Sequence, residues 1–374
     1  MRFTGLLALG SIIASVLAAP VADFDAKVAA GLRLIQTSDE KPPFWVTEQD
    51  KLDLLKQNIN FFDLTETYHL EESMKAKKVK AIVERATFPS PSHQTQVKAL
   101  LSSLSTTNMN SYLSTLTAFN NRYYKASTGL SASNYIYTTL SGFANGKSGV
   151  TITKFSHSWT QQSIIAKIAG SSTTASTVIL GAHEDSINLN SPSTGRAPGA
   201  DDDGTGTVNL MEIFRVLVAS DFKPSRNVEF HFYSGEEGGL LGSQAIAANY
   251  KSAGKSVYAM LNLDMTGYWK PGTTESIALI TDNTDSGLTS FVSSLVSSYS
   301  SIPAVTTTCG YSCSDHASWN RQGYPAAFPF ETTFGNDNPY IHSSSDTTSV
   351  NGFSWSHSLE FAKVGLAFAY ELGY

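Results

Sequence analysis

Between residues 177 and 263 the apolar positions switch from one rhythm to another. Thr177-Val178-Ile179-Leu180-Gly181-Ala182 is an unbroken run rich in β-branched residues, as expected of a strand covered on both faces, and it leads straight to His183. Val208, Met211, Phe214, Leu217 and Val218 then recur at helical spacing up to Ala219, which predicts an amphipathic helix starting just past three aspartates. Val228, Phe230 and Phe232 alternate with Glu229, His231 and Tyr233 in a second strand. Leu240 to Tyr250 reads as a helix, and Val257 to Leu263 as a third strand that stops at Asp264. Farther on, Ile277–Thr281 reads as a strand and Leu288–Tyr299 as a helix, while Phe361, Ala362, Leu366 and Ala369 line a closing helix. Strands and helices alternating in this order predict an α/β fold, a single globular domain with a central, mostly parallel or mixed β-sheet flanked by helices.

Five short segments place His, Asp or Glu beside glycines or at the end of these apolar runs. They read GAHED (181–185), GADDDGTG (199–206), SGEEGG (234–239), LNLDMTG (261–267) and YIHSSSD (340–346). Three of the five follow strands directly, and the crevice beyond the carboxyl ends of strands is where open α/β sheets bind ligands. Two imidazoles with at least three carboxylates suit zinc better than magnesium or calcium, whose sites are built on oxygen. His183, Glu236 or Glu237, Asp264 and His342 are of the right types, and the Asp201-Asp202-Asp203 run can add a carboxylate shared by two ions. Adjacent glutamates point in different directions, so one can bind metal while the other serves as general base. Asp185, two residues past His183, is placed to accept the second imidazole N–H. Taken singly, each residue has an ordinary explanation: a helix cap, a solvated glutamate, a histidine satisfied by hydrogen bonds. The combination points to a metal-centred hydrolase.

The chain ends change where this chemistry takes place. Met1 and Arg2, the apolar run Leu6–Leu17 and the small residues after it predict a secretory signal peptide over 1–18, and hence a secreted, extracellular protein. The run falls short of the roughly 20 residues a spanning helix needs, so no membrane association is expected. Residues 19–80 are denser in charge and contain none of the candidate ligands, which predicts a pro-segment removed on maturation; the alternative is a small subdomain that stays attached. Residues 81–374, with Phe88-Pro89-Ser90-Pro91 near their start, are then the catalytic domain. Net charge is −6 and charged residues make up 16%, with no basic footprint, which excludes nucleic acid as a partner. Cys309 and Cys313 are the only two cysteines and should pair after export; so small a ring contributes on the order of 2 kcal/mol and shapes a local loop. No Asn-x-Ser/Thr sequon is present.

Read in order, GAHED, APGADDDGTG, SGEEGGLLGS, LNLDMTGY, CGYSCSDH and YIHSSSD resemble the motifs of the di-zinc exopeptidase family that includes secreted bacterial and fungal leucyl aminopeptidases. Trp45-Val46-Thr47, Lys51-Leu52 and Ile59-Asn60-Phe61 resemble the pro-segments of its fungal members. The resemblance implies two zinc ions bridged by Asp202, one completed by His183 and Asp264, the other by Glu237 and His342. It implies Glu236 as the general base that activates water, Asp185 as the residue orienting His183, and a cis peptide between Asp202 and Asp203. Tyr311, between the paired cysteines, would donate a hydrogen bond to the oxyanion. Asp315, His316 and His231 are expected to be structural. Met265, Phe328, Phe330 and Phe334 are expected to line a pocket for a leucine-sized side chain, with Asp337 near it where some relatives carry an aromatic residue. The implied partners are peptides with a free N-terminus and the chain's own pro-segment, as inhibitor or folding aid, acting on a monomer. Two competing readings are a one-zinc enzyme that cyclises N-terminal glutamine and a binding module that has lost its metal; the complete ligand set argues against both.

Overall fold

The computed structural model describes residues 23–38, 40–76 and 87–374. The signal peptide expected over 1–18 and the cut expected near residue 80 lie outside them.

The N-terminal stretch builds a small layer of its own. Strands β1 (Leu32–Gln36), β2 (Phe44–Thr47) and β3 (Phe62–Asp63) pair antiparallel in the order β2-β1-β3. The helix Glu48–Leu55 starts where it does because Thr47 and Asp50 cap it reciprocally, each side chain accepting the other's backbone N–H. Asp63, the buried last residue of β3, accepts from Arg33 at 2.9 Å and Lys51 at 2.7 Å. Burial works to raise its pKa, yet Lys51 and Arg33 hold it below the usual carboxylate value.

The rest of the chain supplies β4 (Val150–Phe155), β5 (Ser163–Ile168), β6 (Thr177–His183), β7 (Val228–Tyr233), β8 (Val257–Asn262), β9 (Ile277–Ile280), β10 (Ala304–Thr307), β11 (Ala326–Ala327) and β12 (Pro329–Phe330). Six of these form the central sheet in the order β11-β8-β6-β7-β5-β4. The β11, β8, β6 and β7 strands run parallel, whereas β5 and β4 add an antiparallel edge, so the mixed sheet expected from the sequence is found. A second small sheet, β10-β9-β12, was not anticipated.

Alternate residues of the central strands enter two different cores. Val178, Leu180, Ala182, Phe230, Phe232, Ala259 and Leu261 pack with the helices Gly206–Ala219 and Trp355–Gly373 in the larger one. Ile179, Tyr233 and Met260 pack with the helix Leu241–Ser252 and with Trp319 in the smaller one. Coverage on both sides explains the unbroken apolar run of β6. It also accounts for Glu229 and His231: both are buried, His231 Nε2 lies 3.0 Å from Glu229 Oε2, and the Tyr250 hydroxyl donates to the same oxygen at 2.6 Å.

At the opposite end from the sheet crevice, the closing helix ties down the start of the expected mature domain. Glu371 accepts the backbone N–H of Ser92 at 2.9 Å and of His93 at 3.0 Å, and the Tyr299 hydroxyl donates to it as well.

Candidate metal centre

Five chain segments converge at the carboxyl ends of the parallel strands. His183 is the last residue of β6, Asp264 follows β8 by two residues, and Glu236 and Glu237 form a single helical turn after β7. Asp202 comes from the stretch that precedes the Gly206–Ala219 helix, and the Asp202–Asp203 peptide is cis. His342 sits in the loop between β12 and the closing helix, with φ of +57°. Gly206 makes this convergence possible: a Cβ there would lie 2.2 Å from the Leu263 carbonyl oxygen, so only glycine lets the aspartate loop meet the end of β8.

Among the described residues, two groups of side chains offer ligand atoms that lie within 4.8 Å of one another, His183–Asp202–Asp264 and Asp202–Glu237–His342. Asp202 belongs to both through different oxygens. Its Oδ1 is 3.0 Å from His183 Nε2, and its Oδ2 is 3.1 Å from His342 Nε2, which in turn is 3.1 Å from Glu237 Oε2. His183 Nε2 is also 3.5 Å from Asp264 Oδ1. Both ring nitrogens of His183 and Asp264 Oδ1 are buried without a hydrogen-bond partner, a costly state for polar atoms unless something else coordinates them. Burial opposes charge on the two histidines, but Asp264 around His183 and Glu237 around His342 hold both pKa values well above 6.5. Burial likewise opposes charge on Asp202, yet the adjacent His183 and His342 rings keep its carboxyl well below the usual range. Three carboxylates and two imidazoles thus surround a point that favours positive charge, and the donor set fits zinc.

Glu236 belongs to neither group. Its side chain is only partly buried and lines the same cavity, and burial, then Asp315 and Glu237, push its pKa up. Asp185 Oδ1 stands 3.5 Å from His183 Nδ1, longer than an ordinary hydrogen bond. Its firmer contacts are the backbone N–H groups of Glu236 at 3.0 Å and Glu237 at 3.3 Å, which couple the histidine loop to the glutamate turn. Asp315 and His316 are buried beside the site and belong to neither ligand group, as expected of structural residues.

Sequence reasoning assigned no role to two further aspartates. Asp203 accepts from the N–H of His183 at 3.2 Å, Gly206 at 2.9 Å and Met265 at 3.1 Å, joining three of the converging segments. Asp346 accepts from the N–H groups of Asp201 and Asp202, each at 3.1 Å. Ser314 adds a 2.5 Å bond to Asp264 Oδ2, and buried Arg122 holds the carbonyls of Glu184 and Gly199. Asp203, Asp346 and Ser314 lie within motifs already singled out, but Arg122 leaves no pattern in the sequence.

The site opens into a cavity of about 790 Å³. Met265, Phe328, Phe330 and Phe334 all line it, the first three buried and Phe334 exposed at 37%. Cys309 and Cys313 are bonded, and Tyr311 between them also faces the cavity; burial, then the Glu236 carboxylate, push its pKa up. The Tyr311 loop is fixed from below by Asp282, which accepts from Cys309 N at 3.1 Å and Gly310 N at 2.6 Å.

Residues 163–369 match the model of peptidase family M28. The chain is 44% identical over 396 residues to leucine aminopeptidase 1 of Coccidioides posadasii (strain C735), covering 100% of this chain and 99% of that protein. The chain belongs to peptidase family M28. Among solved structures it is similar to the LapA aminopeptidase of Legionella pneumophila, with TM-score 0.80 and 28% identity over 91% of this chain and 98% of that one. LapB from the same organism gives TM-score 0.79 at 29% identity, covering 94% and 97%. The M28 match begins at β5, so it contains every segment of the metal centre and none of the N-terminal layer. Among the described residues of this M28 peptidase, no helix is long and apolar enough to cross a membrane.

Proposed function

We propose that the protein is a secreted, zinc-dependent aminopeptidase that removes leucine or another large apolar residue from the N-terminus of peptides. The observation that carries this reading is Asp202 standing between two complete donor groups while Glu236, outside both, faces the same cavity. The full-length relatives named leucine aminopeptidase support it. His183, Asp202 and Asp264 would hold one zinc ion, and Asp202, Glu237 and His342 a second. Bound there, zinc supplies Lewis acidity toward the scissile carbonyl and toward water.

This chain's own residues then move the proton and hold the charge. Glu236 takes a proton from the attacking water and later delivers it to the leaving amine, so that the carboxylate is restored when the peptide bond has broken. The Tyr311 hydroxyl donates to the carbonyl oxygen as negative charge develops on it. Tyr311→Phe is expected to lower kcat by about a hundredfold with zinc content unchanged; an unchanged kcat would remove Tyr311 from the mechanism. Met265, Phe328 and Phe330 form the apolar floor that receives the N-terminal side chain.

The N-terminal layer acts in this reading as an inhibitor. Leu55, Lys56, Asn58, Asn60 and Phe61 line the cavity together with Glu236 and Tyr311. The Asp63 N–H donates to the Gly239 carbonyl at 3.0 Å, and a Cβ on Gly239 would lie 2.9 Å from that nitrogen.

The deciding assay uses the protein freed of this layer. It is expected to release p-nitroaniline from the leucine anilide, to leave the N-acetylated anilide intact and to lose activity to a zinc chelator. Equal cleavage of the blocked substrate would exclude an aminopeptidase, and indifference to chelation would exclude the metal.

A further inference from the structure

The wall of the cavity changes character from bottom to mouth. Met265, Phe328 and Phe330 are 6%, 2% and 4% exposed, whereas Phe334 is 37% exposed. The aromatic rings run continuously outward, with Phe328 and Phe330 centroids 5.6 Å apart and those of Phe330 and Phe334 6.0 Å apart. Asp337 lines the same cavity three residues beyond Phe334. Its Oδ1 accepts the Gly335 N–H at 2.7 Å, and among the described residues it has no ion-pair partner. The Gly335 bond fixes the carboxylate's position and leaves Oδ2 uncommitted.

Charge in the cavity is one-sided. Asp337 is the fifth carboxylate in its lining, after Asp202, Glu236, Glu237 and Asp264, and the other four belong to the proposed metal and proton chemistry. The single Lys or Arg in the lining is Lys56, which comes from the N-terminal layer. Once that layer has left, no Lys or Arg remains in the described lining to compete for Asp337 or to repel a basic group entering the mouth.

We propose that Asp337 extends the substrate range to N-terminal lysine and arginine by holding their cationic ends at the mouth of the pocket. The inference rests on the aminopeptidase reading and names which side chains that site accepts. Lysine and arginine are amphipathic: their methylene stems pack on apolar surface while the charged head stays in water. A pocket with an apolar floor, an exposed aromatic edge and a carboxylate beyond it matches that division. The Phe334 face adds a cation–π contribution where the head passes it. Asp337 is thus a specificity-determining residue and takes no part in bond cleavage.

The test compares kcat/KM for leucine, norleucine, lysine and arginine p-nitroanilides on the enzyme freed of its N-terminal layer. Norleucine has the shape of the lysine stem without the ammonium, so the lysine-to-norleucine ratio isolates the charge. Asp337→Asn is expected to lower that ratio by roughly fivefold, the size of a partly exposed ion pair, and Asp337→Lys to lower it further. In the unaltered enzyme the ratio should also fall near 1 M salt, where the screening length is about 3 Å. Each ratio is taken on one preparation, so a partly folded variant changes both rates and leaves their quotient intact. A ratio unmoved by both variants overturns the proposal, as does an equal fall for all four substrates, which would place Asp337 at the common α-amine. If the unaltered enzyme cleaves the leucine anilide but neither basic one, the proposal fails while the aminopeptidase reading stands; if it cleaves none, both fail.

Discussion

Glu236→Gln is expected to lower turnover of leucine p-nitroanilide by about a thousandfold while the protein keeps its zinc. Glutamine has the same shape and leaves the backbone bond from residue 236 to Asp185 in place, so the glutamate turn should stay where it is. What is lost is the acceptor for the proton of the attacking water, a step in which a positioned base contributes roughly 10² to 10⁴ in rate. The matching variant, Glu237→Gln, should behave in the opposite sense. Glu237 pairs with His342 inside one of the two donor groups, so its loss should show first as weakened retention of one zinc equivalent. Metal analysis of the two purified variants beside single-turnover rates separates these roles. Zinc lost from the Glu236 variant, with full occupancy in the Glu237 variant, would reverse the assignment.

Cutting the N-terminal layer away is expected to raise kcat/KM by at least about a hundredfold. The layer is covalently attached, so its local concentration at the cavity is on the order of millimolar, and even micromolar intrinsic affinity leaves the cavity closed nearly all the time. The contacts suit a removable cover. Lys125 to Glu48 at 2.7 Å, Ser158 to Glu66 at 3.0 Å and Arg321 to Gln36 at 3.0 Å are polar contacts around a small apolar patch formed by Phe62, Leu64, Leu240 and Ala317. Rates measured before and after proteolysis of the folded chain test this, together with inhibition by the separated layer added back. Equal rates before and after cutting, with no inhibition in trans, would leave the layer a folding role only.

The parts of the fold that could be read beforehand are those in which side-chain period and burial agree. The two-faced coverage of β6 and β8 makes Val178 to Ala182 and Val257 to Leu263 stand out as apolar runs. The helices Thr106–Ala118 and Ser127–Ala144 did not stand out, because their buried Met109, Leu113 and Leu116, or Ala132, Ile136 and Leu140, are spaced among Ser, Thr and Asn of weak helix propensity. The same contrast divides the metal centre. His183, Asp202, Glu237, Asp264 and His342 are legible because the proposed metal chemistry needs their side chains. The work of Asp203 and Asp346 is invisible in sequence, since most of their partners are backbone N–H groups that any residue carries. The N-terminal layer reads in sequence as separate from the site because it holds none of the candidate ligands; its Asn58–Phe61 loop lines the cavity through shape and amide groups instead.

The Glu371 anchor has a bearing on self-digestion. An enzyme that trims free N-termini would acquire one of its own in the proposed removal of its covering layer. Ser92 and His93, held through their backbone to the closing helix, lie immediately after Phe88-Pro89-Ser90-Pro91. To feed that end into the cavity of a neighbouring molecule, the chain would have to pass two prolines and then strip both backbone N–H groups from a largely buried carboxylate. Fraying of the new terminus should therefore stop short of residue 92, so that the proposed mature form would not consume itself.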